Sequence, residues 1–424
     1  MKIDRRCFLT ASAAGTVLGP QLFSGCVSVP CPDEVGAVYP GWAPGELDLH
    51  FIHTGRGENA FYLLPDGTTV VNDCGDYYYT KDLDRVPWEP KGMDHLLGAE
   101  IVARYIRRLT DAKRLDYALV SHWHSDHTGE PSLGSRTTAD GRKVCGLALL
   151  GEEFEFGRFY DHQFPFVGKY AGSIDREGLE MIEAWLKAKN VPREPFKVGA
   201  LNQIKLQHDP AGRYADSFSI RNICANAVCW TGKGEENFDY GAVHAKATGK
   251  ELIPNQNALS MGFVIEYGKF RFWTGGDVST KLKGADGKDF NWEEVVGKAV
   301  GKVNVCKTNH HAWKDAMSKE FVAAVQAQAY ISCVWCQRHI LDDNMPFISS
   351  RALYPGERRV YPTHVPWWPR REWPKADWWK DVIPKGGHIV VKVAPGGRSY
   401  KIYVLDSETE SLRINSVYKY EEIG

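Results

Sequence analysis

The sequence predicts an α/β fold built as one large decorated domain, and three patterns predict it. Short apolar runs of strand length are separated by Gly and Asp turns, an amphipathic helical period leads directly into an apolar strand, and strand ends deliver His and Asp at three separate places. A chain of 424 residues can bury a core of that size. Formal net charge is -1 with 25% charged residues, so no long-range field favours nucleic acid or an anionic membrane surface. Nucleic acid is therefore not the expected partner, although a local basic patch would change that, and composition leaves the substrate open.

The elements follow in order. Leu49 and Phe51, then Phe61 to Leu64 and Thr69 to Val71, alternate as short strands of an opening meander. Leu97, Ile101, Val102, Tyr105, Ile106 and Leu109 recur at helical spacing and feed the strand Tyr117 to Val120. Residues 130 to 250 are the least legible, with local strand signals only around Phe218 to Ile223, and are expected to decorate the active face. Met261 to Tyr267 and Phe270 to Trp273 form a hairpin about Gly268-Lys269, the second strand running into Gly275-Gly276-Asp277. Val303 to Cys306 runs into Asn309-His310-His311, and Ser318 caps a helix carrying Phe321, Val322 and Val325 that feeds the strand Ala329 to Val334. Ile389 to Val393 and Tyr400 to Leu405 close the chain as a hairpin.

The N-terminus reads as a targeting segment rather than as part of the fold. Arg5-Arg6-Cys7-Phe8-Leu9 follows the twin-arginine export pattern and precedes an apolar run, Ala11 to Leu18, too short to span a bilayer. Leu22-Phe23-Ser24-Gly25-Cys26 resembles a lipobox, in which Cys26 would carry the lipid; an ordinary cleaved signal or an uncleaved anchor is the alternative. Residues 1–40 are thus set aside as signal, lipobox-like site and linker, and 41–424 form the domain. The expectation is an exported protein, periplasmic or membrane-anchored, that touches membrane only through a lipid on Cys26. Ten cysteines in an oxidising compartment would permit disulfides, with no pairing readable. Cys333 and Cys336 have redox or metal-site spacing, but small apolar residues ending a buried strand explain them better.

Ser121-His122-Trp123-His124-Ser125-Asp126-His127 carries the chemistry. Three imidazoles and a carboxylate in one strand-to-helix turn are hard to explain as packing, and neutral imidazole with carboxylate is the donor set that divalent zinc takes. In an extended segment His122 and His124 point to one side, leaving Asp126 and His127 to face a neighbouring ion.

This turn resembles the HxHxDH signature of the metallo-β-lactamase superfamily, and further segments agree in order. Val71-Asn72-Asp73-Cys74-Gly75 is similar to the family's first motif, Gly275-Gly276-Asp277 to the strand end whose Asp bridges two metals, and His310-His311 stands in the place of the last ligand. The opening His53 to Ala60, the segment Asn257 to Asp277 and Lys307 to His311 look most like the branch containing competence-protein ComEC domains and choline-phosphoesterases. The resemblance covers most of residues 47–345 and implies a four-layered αββα metallo-β-lactamase sandwich. It implies metal ligands His122, His124, Asp126, His127, Asp277 and His311, catalytic roles for Asp126 and Asp277, and supporting or substrate-contacting roles for Asp73, His310 and His339. The implied cofactor is a divalent metal, two zinc ions with manganese or iron as alternatives.

The implied reaction is hydrolysis by a metal-bound hydroxide without a covalent intermediate, with His310 or His339 protonating the leaving group. The substrate would be a small molecule or cell-envelope component, and the branch favours a phosphodiesterase or phosphoesterase. A hydrolase of a lactam, lactone or thioester, or a non-catalytic metal-binding lipoprotein, are the alternatives. The chain departs from the family in two places. Ala312-Trp313 stands where the branch has Gly-Ser, and the third His of the first metal site has no clear candidate among His162, His208 and His244, of which His162 ranks first. Finally, Pro366-Trp367-Trp368-Pro369 through Trp373 to Trp378-Trp379 is expected as an insertion near 366–379, either packed on its own domain or offering indoles to a sugar, a quaternary ammonium or a membrane interface.

Overall fold

The structure is a computed structural model that describes residues 29–30, 34–77, 95–162, 175–252, 254–284, 286–340, 343–365 and 376–421. Arg5, Arg6 and Cys26, and the indoles of Trp367, Trp368 and Trp373, lie outside the described residues. Among the described residues no helix is long and apolar enough to cross a membrane.

The fold is α/β, with two large mixed sheets and eight α-helices among the described residues. In the first sheet of ten strands, Leu47–Phe51, Asn59–Leu63 and Thr69–Cys74 form an antiparallel meander. Thr69–Cys74, Arg114–Val120, Glu155–Asp161 and Arg193–Pro195 then run parallel. The hairpin His388–Val393 with Tyr400–Leu405 closes onto the meander's first strand. In the second sheet of eight strands, the hairpin Gly262–Tyr267 with Phe270–Thr274 is followed in parallel by Val305–Lys307, Ala329–Ser332 and Arg359–Pro362.

Period-two alternation sorts the side chains. In Asn59–Leu63, Ala60 and Tyr62 enter one core while Phe61 and Leu63 enter another. Tyr62, Leu49 and Phe51 of the first sheet share a core with Ile265, Phe272 and Ile331 of the second. Phe61, Val71 and Val120 pack on the other side against Val102, Ile106, Leu150 and Trp185, which come from the helices Gly98–Leu109, Gly146–Glu153 and Arg176–Lys189. Val264, Trp273 and Cys306 likewise pack against Trp292, Val296, Phe321 and Val322 of Trp292–Val300 and Lys319–Val325. Burying each such side chain contributes about 2 kcal/mol.

Two local signals act as read from the sequence. Ser318 accepts from Phe321 N at 3.3 Å and caps its helix. Cys333 and Cys336 are buried free thiols beyond the strand Ala329–Ser332, as are the other described cysteines. The middle of the chain differs from expectation. Residues 130–250 do not simply decorate the active face: Glu155–Asp161 and Arg193–Pro195 are strands of the first sheet, and Gly146–Glu153 and Arg176–Lys189 cover it. Gly146–Glu153, of eight residues, and Arg193–Pro195, of three, are too short for either period to stand out, whereas the 14-residue helix Arg176–Lys189 carries Leu179, Ile182, Trp185 and Leu186 at helical spacing and was legible. Of the expected Trp insertion, Trp378 is buried and Trp379 packs against the core.

Candidate metal centre

The parallel strands of both sheets end at one crevice, the place where layered α/β folds carry their functional loops. Arg114–Val120 runs into the His-rich turn, Phe270–Thr274 into Asp277, and Val305–Lys307 into His310-His311. Close backbone approach locks the turn in place. Glu58 N donates to Asp126 O at 2.8 Å, and Gly75 lies so near that a Cβ there would sit 1.8 Å from the same oxygen. Only glycine fits.

Asp73 holds the turn from below. It adopts a left-handed φ of 63°, its Oδ1 accepts from Ser121 N at 2.7 Å, and its Oδ2 lies 2.9 Å from His127 Nδ1. An aspartate can only accept there, so the Nδ1 of His127 carries a hydrogen and Nε2 is the ring nitrogen left to face the other carboxylates. Four atoms then converge. His127 Nε2 is 3.4 Å from Asp126 Oδ2 and 3.3 Å from Asp277 Oδ1; His311 Nε2 is 3.1 Å and 3.3 Å from the same two oxygens.

His122 Nε2 meets His124 Nδ1 at 3.1 Å and Asp277 Oδ2 at 3.8 Å. The loop that delivers His310 and His311 is strained, since His310, His311 and Ala312 all have positive φ, of 44°, 52° and 61°. Such a conformation costs on the order of 1 kcal/mol per non-glycine residue and marks a segment held for a purpose.

Glu58, His127, Asp277 and His311 form a buried cluster that could hold a metal ion, each offering a ligand atom within 4.8 Å of the others. Glu58 went unnoticed in the sequence because a lone glutamate in a Gly-rich loop carries no spacing signal. Its Oε2 is 2.6 Å from Lys307 Nζ and 3.4 Å from His311 Nδ1, the ring nitrogen away from Asp126. Glu58 therefore backs the His311 ring, while Asp126 Oδ2 faces Nε2. The charges inside the cluster are unbalanced. Burial lowers His311 and His127, but the carboxylates of Asp277 and Asp126 outweigh it, taking His311 up to about 9 and His127 well above the usual imidazole range. Burial raises Asp126 and Asp277, yet the adjoining imidazoles hold both well below the ordinary carboxylate value. His127 Nε2 and Asp277 Oδ1 find no hydrogen-bond partner. A site that stabilises positive charge this strongly, with these atoms unpartnered, fits a cation.

The other histidines separate. His339 is buried and stacks on His311 at 4.7 Å; burial and the adjoining His311 keep it well below the usual imidazole value, so it is neutral near pH 7. His310 is at the crevice, 3.6 Å from Asp277 Oδ2. His162 is buried with Nδ1 at 2.6 Å from Asn226 Oδ1 and Nε2 at 3.2 Å from Gln256 Oε1. His208 is exposed and pairs with Asp116 at 3.0 Å. His244 sits in the helix Tyr240–Thr248, 6.4 Å from the Tyr240 ring.

No protein-family model matches the chain, and no curated protein matches it.

Proposed function

We propose that this chain is a metal-dependent hydrolase of the metallo-β-lactamase superfamily that acts on a phosphodiester or phosphorylated small or cell-envelope substrate. The observation that carries the reading is the set of four distances among His127, Asp126, Asp277 and His311. They run from 3.1 to 3.4 Å, and a tetrahedral zinc with ordinary nitrogen and oxygen bonds needs ligand atoms about 3.3 Å apart. A second ion would be held by His122, His124 and the Oδ2 side of Asp277. Three cores, one between the sheets and one on each outer face, support the four-layered αββα arrangement that the resemblance implies.

When bound, divalent ions here would lower the pKa of water and polarise the scissile group. The chain's own residues do the rest. Asp126 and Asp277 would hold the ions, Asp73 hydrogen-bonds the His127 ring from behind, Glu58 lies 3.4 Å from the far nitrogen of His311, and Trp335 packs edge-on to the His311 ring at 6.1 Å. The phosphoester preference rests on the likeness of Lys307 to His311 and Asn257 to Asp277 to the phosphoesterase branch, not on a substrate contact.

The test is turnover of bis-p-nitrophenyl phosphate, p-nitrophenyl phosphorylcholine and nitrocefin by the full chain, before and after chelation. Phosphoester cleavage that disappears on chelation and returns with zinc or manganese is expected. Cleavage of nitrocefin alone moves the protein to the lactam class, and a chain that binds metal but turns over none of the three refutes the phosphoesterase reading.

A further inference from the structure

The proposed centre leaves its first ion short of a protein ligand, because no histidine between the His-rich turn and Asp277 joins His122 and His124. The ring contacts of His162 are with Asn226 and Gln256, and that of His208 is with Asp116, none of them a residue of the cluster. The two oxygens of Asp277 show where the missing donor lies. Oδ1 is 3.3 Å from both His127 Nε2 and His311 Nε2, whereas Oδ2 is 3.8 Å from His122 Nε2 and 3.6 Å from His310 Nε2.

His310 is prepared on its far side as well. Its Nδ1 lies 2.6 Å from Asp315 Oδ1. A carboxylate there accepts the Nδ1 hydrogen, so Nε2 presents a lone pair, and this carboxylate backing is the arrangement that metal-binding imidazoles carry. The left-handed backbone has a further consequence. In an extended strand His310 and His311 would point to opposite faces, but with φ of 44° and 52°, and with His310 N donating to Gly276 O at 3.2 Å, both rings reach Asp277. His310 Nε2 also lies 3.1 Å from Asn257 Nδ2, a contact that an ion on Nε2 would replace, and the buried Oδ1 of Asn257 has no partner.

We infer that His310 Nε2 is the missing protein ligand of the first ion, so that the adjacent pair His310-His311 is divided between the two metals. His310 joins His122, His124 and Asp277 Oδ2; His311 joins Asp126, His127 and Asp277 Oδ1. This rests on the dinuclear reading above and gives His310 a task other than protonating a leaving group.

The experiment is cobalt(II) titration of the metal-stripped full chain, followed by visible absorption and by equilibrium dialysis. The parent should take two equivalents. His310→Asn should keep one at parental affinity and hold the second at least tenfold more weakly, with a changed absorption band for that ion. Asparagine tolerates a left-handed backbone, so the loop should keep its course, and circular dichroism checks the fold. Asp315→Asn, which removes only the backing carboxylate, should weaken the same equivalent by about tenfold and carries the test should His310→Asn not fold. Two equivalents bound as tightly as in the parent, in either folded variant, would overturn the assignment while leaving the dinuclear reading intact. A parent that binds one ion or none removes the dinuclear reading itself, and the assignment with it.

Discussion

Two of the buried polar clusters among the described residues respond to burial in opposite ways. At the strand ends, Asp126, His127, Asp277 and His311 face one another, and His127 Nε2 and Asp277 Oδ1 have no hydrogen-bond partner. On the helix-covered face of the first sheet, Tyr39, Asp48, His50, Tyr105, His388 and Lys392 form a second cluster. There Tyr39 OH donates to Asp48 at 2.5 Å, Lys392 Nζ lies 3.3 Å from Asp48, His50 Nδ1 is 3.0 Å from Tyr105 OH, and His53 N donates to His388 Nδ1 at 3.1 Å. One atom, His50 Nε2, is left over. Burial dominates in this second cluster, and it pushes both His50 and His388 down to about 3. In the first, carboxylates overcome burial and push the imidazoles up. A polar cluster closed by its own hydrogen bonds is part of the architecture; one whose carboxylates hold imidazoles in the charged form could hold a cation in their place.

Substitutions in each cluster should therefore separate function from stability. The largest effect is expected from Asp277→Ala, which removes the carboxylate facing His122, His127, His310 and His311. Turnover should fall roughly a thousandfold, about 4 kcal/mol in barrier, with loss of bound metal. The thermal midpoint of the metal-free protein should change little. Near-parental turnover with full metal content would make Asp277 an ordinary turn residue and erase the contrast.

Asp48→Ala should do the reverse. It strips the partner from the Tyr39 hydroxyl and one of three from Lys392, which keeps Glu46 and the Gly41 carbonyl, and should cost about 2 kcal/mol of stability with unchanged metal content and turnover per folded molecule. Denaturant unfolding beside metal analysis reads both quantities, and a loss of metal at unchanged stability would contradict the assignment.

The smallest effect is a pH dependence. Folded His50 and His388 stay neutral down to about 3, whereas the unfolded chain takes up those protons near the ordinary imidazole value of 6.5. Their contribution is thus present above pH 6.5 and is lost as pH falls toward 3. Asp48, pushed up to about 6 by burial against the pull of Lys392, opposes part of this as it protonates. Between pH 7 and 6 the net loss should be about 1 kcal/mol. A variant with both histidines changed to Gln should show a smaller drop in thermal midpoint over that interval, and an equal drop would remove these histidines from the account.

How much of this was legible in the sequence depends on the range over which each feature is encoded. Alternation and helical period placed the opening meander, the helix Gly98–Leu109, the hairpin ending near Asp277 and the closing hairpin, because a strand or helix writes its buried face locally. The density of His122, His124, Asp126 and His127 in one turn raised the expectation of a metal site for the same reason, since the four are neighbours in the chain, and His127 lies in the buried cluster that could hold an ion. Features whose partners are far apart needed the tertiary structure. Glu58 backs His311 and pairs with Lys307 across the two sheets. His310 is turned toward Asp277 by a left-handed backbone that no sequence period encodes. His162, first among the sequence candidates for the open position, meets Asn226 and Gln256 instead. The sequence by itself thus determined which residue types gather into a cluster that could hold a metal ion and at which strand end several of them sit. Which nitrogen faces which oxygen was decided only when two sheets packed face to face, because contacts between residues hundreds of positions apart depend on the course of both strands and leave no local pattern.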